Sequence, residues 1–337
     1  MKILIIRFSS IGDVLQTLSV PGRLREVFPQ AEIHWVTRED FKTIVQRHPA
    51  VHKVWTVQKG EGLFSLLKLA KALRSERFSH IYDAHNNLRS RVICASLNGF
   101  LGWRRLTHQF LRRSIFRWKR FLLFKFRINN FQMPFSGQRD LLLPLERWGV
   151  PFKLPQLPQL HLPGSLKTEV VQRYPTLAKP FIALAPSAAF ELKRWPLDYF
   201  QSLIEQMSGH QFVVLGGKED QFLNALERVG PRVLNLAGQL TLEQSAAVVA
   251  QSQLLIANDT GLMHVAEQIG IPCIALMGPA PFGFPSRPMT QIMQLDLPCR
   301  PCSKHGQGPC INKEYHKCLK GILPGQVVAA AKRVLNA

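Results

Sequence analysis

The sequence predicts an α/β protein made of two doubly wound, parallel-sheet domains. Three observations carry that expectation. Short apolar runs alternate with amphipathic stretches of about ten residues or more, the pattern of βαβ units. The alternation stops and restarts across Pro151-Phe152-Lys153-Leu154-Pro155-Gln156-Leu157-Pro158 and Pro163-Gly164, a proline-rich crossing that reads as an interdomain linker. The 337 residues exceed one ordinary core and suit two.

In the first half, Ile3 to Ile6 is the first strand and Ser9-Ser10-Ile11-Gly12-Asp13 a turn. Val14 to Val27 follows as mostly helical sequence. Ile33 to Val36 and Val51 to Val57 are strands, Leu63 to Leu73 a helix, and His80 to Asp83 a fourth strand end. In the second half, Phe181 to Leu184 is a strand ending in Ala185-Pro186-Ser187, and Leu197 to Met207 is a helix. Phe212 to Leu215 is a strand ending at Gly216-Gly217, Val233 to Leu236 a short one, and Leu242 to Ala250 a helix. Leu254 to Ala257 is a buried strand, closed by the polar turn Asn258-Asp259-Thr260-Gly261 and a helix that Gly270 and Pro272 stop. Cys273 to Met277 is the last strand and Val327 to Leu335 a terminal helix. In such sheets ligands bind beyond the carboxyl ends of the strands, where these turns lie.

Composition narrows the function. At 46% hydrophobic and 19% charged the chain is globular. No apolar run reaches the ~18 residues of a spanning helix, and the opening Met1 to Arg7 is too short an apolar stretch for a signal peptide. A cytoplasmic location is expected. The net charge of +21 implies an anionic partner. Twelve Lys or Arg and no acid lie between Ala84 and Arg139. Residues 103–127 carry nine of them, interleaved with Phe110, Phe116, Trp118, Phe121, Phe124 and Phe126. Rings at headgroup level beside cations on phosphates are what an anionic membrane interface selects. Single-stranded nucleic acid selects a similar mixture, but no nucleic-acid motif occurs elsewhere, so a membrane is favoured and nucleic acid is not expected.

Cys94 and Cys273 sit in apolar sequence as small hydrophobes. Cys299, Cys302, Cys310 and Cys318 cluster, opened by a C-x-x-C. They read as reduced thiols in a packed loop, with a structural zinc as the alternative. The Asn258–Gly261 turn reads either as a plain capped βα turn or as a phosphate site at a helix N-terminus. Asp13 reads equally as a base or as an acid favoured in a first helical turn. Lys193 and Arg194 are two cations suited to a diphosphate. Ser187 is a further phosphate candidate and His264 lies on the first turn of its helix. There is no Asp-x-Asp pair of the kind that metal-dependent sugar transferases use.

Taken in order, Arg7-Phe8-Ser9-Ser10-Ile11-Gly12-Asp13-Val14-Leu15, Lys193-Arg194-Trp195-Pro196, Asn258-Asp259-Thr260-Gly261-Leu262-Met263-His264 and Pro298-Cys299-Arg300-Pro301-Cys302 resemble the bacterial lipopolysaccharide heptosyltransferases. This is the ADP-heptose glycosyltransferase family 9, and the cysteine tail is nearer its second branch. The resemblance covers nearly the whole chain. It implies a GT-B fold of two Rossmann-like domains facing a cleft. Residues 1–160 would bind the acceptor and carry the membrane-facing 103–127 segment. Residues 161–320 would bind the nucleotide sugar and carry the 299–318 cysteine loop, before a C-terminal helix in 321–337. Asp13 would be the catalytic base of an inverting, metal-independent transfer from ADP-heptose to a Kdo- or heptose-bearing lipid A core. Ser187, Lys193, Arg194, Asp259, Thr260, Gly261 and His264 would hold the ADP. Ser10, Gly12, His85 and Arg89 would form the acceptor side. No cofactor is required on this reading, and the enzyme would sit peripherally on the inner membrane. Two alternatives stay open: a relative or epimerase using another nucleotide sugar, and a non-catalytic protein of anionic membranes.

Overall fold

The computed structural model describes residues 1–98 and 109–336, which divide into two compact units. The first holds residues 1–116 and 137–161, and the second holds 117–136 and 162–337.

In the first unit the strands are β1 (Lys2–Ile6), β2 (Glu32–Arg38), β3 (Val51–Val57), β4 (His80–Asp83) and β5 (Gln109–Arg112). They form one parallel sheet in the order β3-β2-β1-β4-β5. Ile3 to Ile6 are wholly buried, as a central strand covered on both faces must be. The helices here are α1 (Ile11–Thr17), α2 (Ser19–Val27), α3 (Lys42–Gln46), α4 (Leu63–Ser75) and α5 (Leu88–Asn98). The expected single helix over Val14–Val27 is therefore two, broken at Leu18. Pro21 explains the break: it lacks an N–H, and its ring excludes the carbonyl four residues back.

The second unit begins with α6 (Arg117–Phe126) and β6 (Phe135–Ser136), after which α7 (Gly137–Leu142) returns to the first. Then come α8 (Gly164–Arg173), β7 (Phe181–Ala185), α9 (Leu197–Gln206), β8 (Gln211–Val214), β9 (Val233–Asn235), α10 (Leu242–Val249), β10 (Leu254–Asn258), α11 (Gly261–Ile269) and β11 (Cys273–Leu276). The chain finishes with β12 (Phe282–Phe284), β13 (Thr290–Met293), α12 (Lys317–Lys320) and α13 (Pro324–Leu335). A six-stranded parallel sheet runs β13-β11-β10-β7-β8-β9, and β12 pairs with β6. Cys273–Met277 is thus not the last strand. The half-buried Thr290–Met293 lacks the continuous apolar run that marked the inner strands, and it forms an edge.

These units redraw the basic aromatic segment. Residues 103–108 lie outside the described residues. Residues 109–112 form a strand of the first sheet, where Arg112 Nε lies 2.9 Å from Asp83 Oδ2. Arg113 pairs with Asp140. Residues 117–136 belong to the second unit, not the first. The rings of Phe124, Phe131 and Phe135 pack on Phe282, and the Arg120 guanidinium lies 4.0 Å from its centroid. On α6 Trp118 is 68% exposed and stacks on exposed Phe121.

Both sheets reverse direction once. In the first the order turns between β1 and β4, in the second between β7 and β10. Loops diverge at such switch points and leave a crevice beyond the strand ends, the usual ligand position in open α/β sheets.

Candidate active site

The loop after β1 reaches the first switch point. Ser10 opens α1 with extended backbone (φ −75°, ψ −178°). Its N–H (3.2 Å) and its hydroxyl (2.8 Å) both donate to Asp13 Oδ2. That carboxylate also meets Arg7 Nη2 at 2.6 Å. Arg7 is itself anchored, donating from Nη1 to the Ala84 carbonyl at 2.8 Å. Burial would raise the Asp13 carboxyl, but the charges of Arg7 and Arg113 and the two Ser10 hydrogen bonds outweigh it, holding the group well below the usual carboxylate range. Asp13 is ionised, and its side chain is 37% exposed against 7% for Arg7.

The loop after β4 supplies the other wall. Asp83 Oδ1 accepts from the N–H groups of His85 and Asn86 (3.2 and 2.8 Å). Asn86 takes the left-handed backbone (φ +56°), while its side-chain oxygen accepts from Arg91 Nε and Nη2. His85 accepts the Phe8 N–H on Nδ1 at 3.4 Å and packs edge-on against that ring, 5.2 Å between centroids. Burial, reinforced by the charge of Arg7, lowers its imidazole to about 4. His85 is neutral near pH 7 and contributes no cation. The structure brings Ser10, Gly12, Asp13 and His85 to this edge, with Arg89 on the first turn of α5.

In the second unit Asn258 ends β10 and is fully buried. Its Oδ1 accepts the Trp195 N–H at 3.0 Å and its Nδ2 donates to the Pro186 carbonyl. One amide thus ties the Pro186-Ser187 strand end and the Lys193-Arg194 turn to the Asp259-Thr260-Gly261 turn. Asn258 therefore does not cap α11; Thr260 holds that position, with extended backbone. Lys193 Nζ pairs with Asp259 Oδ2 at 2.8 Å. Two glycines shape this pair. Gly306 (φ +86°) lies against the Lys193 stem, where a Cβ would come within 2.6 Å of Cγ. Gly283 (φ +124°) lies against the Asp259 carboxylate, where a Cβ would come within 2.9 Å. Arg194 donates from Nε to the Ala188 carbonyl at 3.0 Å and stacks over Phe222. His264 is buried on α11, its Nδ1 3.5 Å from Glu267 Oε2. The other Glu267 oxygen accepts the Ser286 and Arg287 N–H groups at 2.6 Å each.

Ser187, Lys193, Arg194, Asp259, Thr260, Gly261 and His264 are thus gathered at the carboxyl ends of neighbouring strands, β7 and β10. Arg7, Asn258 and Glu267 were missed. The only trace of Glu267 in the sequence was a carboxylate on α11 beside the apolar Val265, Ala266 and Ile269.

The four clustered cysteines line one small cavity with Leu192, Pro279 and His316, and all are free thiols. Cys299 Sγ accepts from Asn312 Nδ2 and Cys310 Sγ from the His316 N–H. Burial pushes the Cys318 thiol up to about 11. Among the described residues no three of these sulfurs lie within 4.8 Å of one another. The group that does meet that distance, Glu32, His34 and Glu76, already holds cations: Lys2 Nζ is 2.9 Å from Glu76 and 3.3 Å from Glu32, and Lys53 Nζ is 2.7 Å from Glu76.

Similarity to known proteins agrees with this geometry. The chain is 29% identical to lipooligosaccharide heptosyltransferase 2 of Haemophilus ducreyi, over 99% of both chains. It is 26% identical to lipopolysaccharide heptosyltransferase 2 of Escherichia coli, again over 99% of both. Its fold matches the crystal structure of a family 9 glycosyltransferase from Veillonella parvula (TM-score 0.79, 20% identity, 99% of this chain and 97% of that one). It also matches the E. coli ADP-heptose lipopolysaccharide heptosyltransferase II (TM-score 0.70, 22% identity, 100% and 99%). These neighbours make the architecture a GT-B fold. The family model for glycosyltransferase family 9 (heptosyltransferase) matches residues 66–316, and the chain belongs to that family.

Proposed function

We propose that this glycosyltransferase moves heptose from ADP-heptose to the Kdo- or heptose-bearing inner core of a lipid A acceptor, inverting the anomeric centre. The observation that carries the reading is a charged group of the required sign at each switch point: a presented carboxylate after β1 and a presented ammonium after β7.

Asp13 takes the proton of the acceptor hydroxyl. A carboxylate held this acidic is a weak base. It suffices because the proton leaves as the new C–O bond forms, when the hydroxyl oxygen carries positive charge and is itself a strong acid. Its salt bridge with Arg7 fixes the carboxylate in place for that moment. Ser10, Gly12, His85 and Arg89 border the acceptor. Lys193 and Arg194, with the N–H groups at the start of α11 and His264, take the charge that grows on the departing ADP. Asn258 and Glu267 hold those groups in register. With cations and a helix terminus on the diphosphate, and no Asp-x-Asp pair, no divalent metal is needed, so turnover survives EDTA.

The acceptor is a lipid, and the enzyme works on the cytoplasmic side of the inner membrane. Among the described residues no helix is long and apolar enough to cross a membrane. Trp118, Phe121 and Phe126 on α6, beside Arg117 and Lys125, instead form an amphipathic contact for anionic lipid. Incubating the purified chain with ADP-heptose and a Kdo-terminated or heptose-terminated lipid A, with ADP release and product mass as readouts, tests the reaction. Consumption of a different nucleotide sugar with ADP-heptose untouched would overturn the donor.

A further inference from the structure

Helix α4 buries one stripe and leaves the opposite one bare. Leu66, Ala70 and Leu73 are buried at helical spacing. Leu66 and Leu73 share a core with Ile93, Cys94 and Leu97 of α5. The other face carries Phe64, Leu67, Lys68 and Lys71, all exposed, and Phe64 is 83% so. Leu63 beside it is exposed as well. Single exposed apolar side chains are ordinary. Leu63, Phe64 and Leu67 together mark a contact surface, because leaving a cluster in water gains the fold nothing.

The topology decides where this face sits. α4 follows β3 and α5 follows β4, and both strands run in the direction of β1. Each helix therefore begins at the carboxyl edge of the sheet, the edge at which Asp13 follows β1. Leu63 and Phe64 open α4, and Leu88, 79% exposed, opens α5 between His85 and Arg89. Charge then chooses the occupant. α4 carries Lys68, Lys71 and Arg74 and no Asp or Glu, and Lys59 is exposed in the turn before it. Glu61 is the one acid between Lys59 and Ser75. Nearby Glu76 is held by Lys2 and Lys53, and Asp83 by Arg112. A second copy of the chain would set these cations against themselves. Anionic lipid answers both features. Apolar side chains enter the acyl boundary, and the lysine stems lie along it while their ammonium groups reach the phosphates.

We propose that the α4 face, with Leu88, docks the first unit on an anionic bilayer, in addition to the α6 contact of the second unit, and so holds the acceptor edge at headgroup level. The inference rests on reading the acceptor as a lipid. Vesicle sedimentation of the full chain without nucleotide tests the docking, and turnover on two acceptors tests its purpose. Phe64→Glu with Leu67→Glu should weaken binding to phosphatidylethanolamine–phosphatidylglycerol vesicles by about tenfold or more. Lys68→Gln with Lys71→Gln should weaken it by about tenfold, with no effect on binding to phosphatidylcholine vesicles. All four positions are exposed, so Tm should stay at the parent value. Both double variants should lose turnover on Kdo-terminated lipid A in the anionic vesicles, yet keep it within about twofold on the same sugar freed of its acyl chains. If the parent chain ignores anionic vesicles, or both double variants bind them as the parent does, the proposal falls. If the variants instead break up an oligomer of the parent, the face joins copies of the chain and the proposal falls. Failure of the heptosyl reading shows differently, as no turnover on either acceptor while vesicle binding still follows α4.

Discussion

The two switch points carry the same kind of pair turned opposite ways. In the first unit the cation is buried and the carboxylate faces out: Arg7 is 7% exposed and Asp13 37%. In the second the carboxylate is the deeper partner, Asp259 at 8% against Lys193 at 15%. Each inner residue fixes the outer one in place. The difference teaches that an ion pair at a strand end is a way to present one chosen charge. On the proposed function the first offers a carboxylate to the acceptor proton and the second an ammonium to the diphosphate.

Removing a presented charge tests this hardest. Asp13→Asn should lower kcat about 10³-fold, within the usual range for a general base, with the KM for ADP-heptose changed less than threefold. A variant within tenfold of the parent breaks the comparison on the acceptor side. Lys193→Met should lower kcat/KM about 10²-fold and weaken product inhibition by ADP. Unchanged ADP inhibition would mean that Lys193 presents its charge to something else.

The supporting residues should show as stability. Asn258→Ala leaves the Trp195 N–H and the Pro186 carbonyl unpaired in a dry interior. At about 1–3 kcal/mol for each such group, Tm should fall by several degrees. A Tm within one degree of the parent would show that the clamp is not needed.

The smallest effect concerns the ion-pair network at the other edge of the first sheet. Hydrogen bonds from Lys53 and Lys2 hold the Glu76 carboxyl down at about 2. A carboxyl depressed in the folded state stabilises fully above its unfolded value, about 4.3. That contribution is lost as pH falls from there toward 2. Thermal melts between pH 6 and 2.5 should show Glu76→Gln converging on the parent chain at the acid end; parallel curves would refute the assignment.

How much of this was written in the sequence depends on the distance over which each feature is decided. Ile3–Ile6 and Leu254–Ala257 declare themselves, because a strand buried on both faces must be continuously apolar. Asp13, Lys193 and Asp259 were legible as charges at strand ends. Their inner partnerships were not. Arg7 reaches Asp13 only because the intervening turn folds back, and Asn258 reads as one more polar residue of its turn until Trp195 is seen 63 residues away across the fold. The basic aromatic run was legible only in part, because charge and rings in sequence do not tell Phe124, which packs on Phe282, from Trp118, which is exposed. Nothing local marks Phe135–Ser136 as a strand, since its partner β12 lies about 150 residues on.

That two-residue strand also governs how the gene can be divided. The chain passes between its units three times, at Phe116–Arg117, Ser136–Gly137 and His161–Leu162. A fragment begun at Leu162 would leave Phe282 without the rings of Phe124, Phe131 and Phe135, and a fragment ended at His161 would carry those rings with nothing to cover them. Neither half is a module that one cut, or one ancestral fusion junction, can deliver whole. A fragment of the second unit for separate expression needs residues 117–136 grafted back.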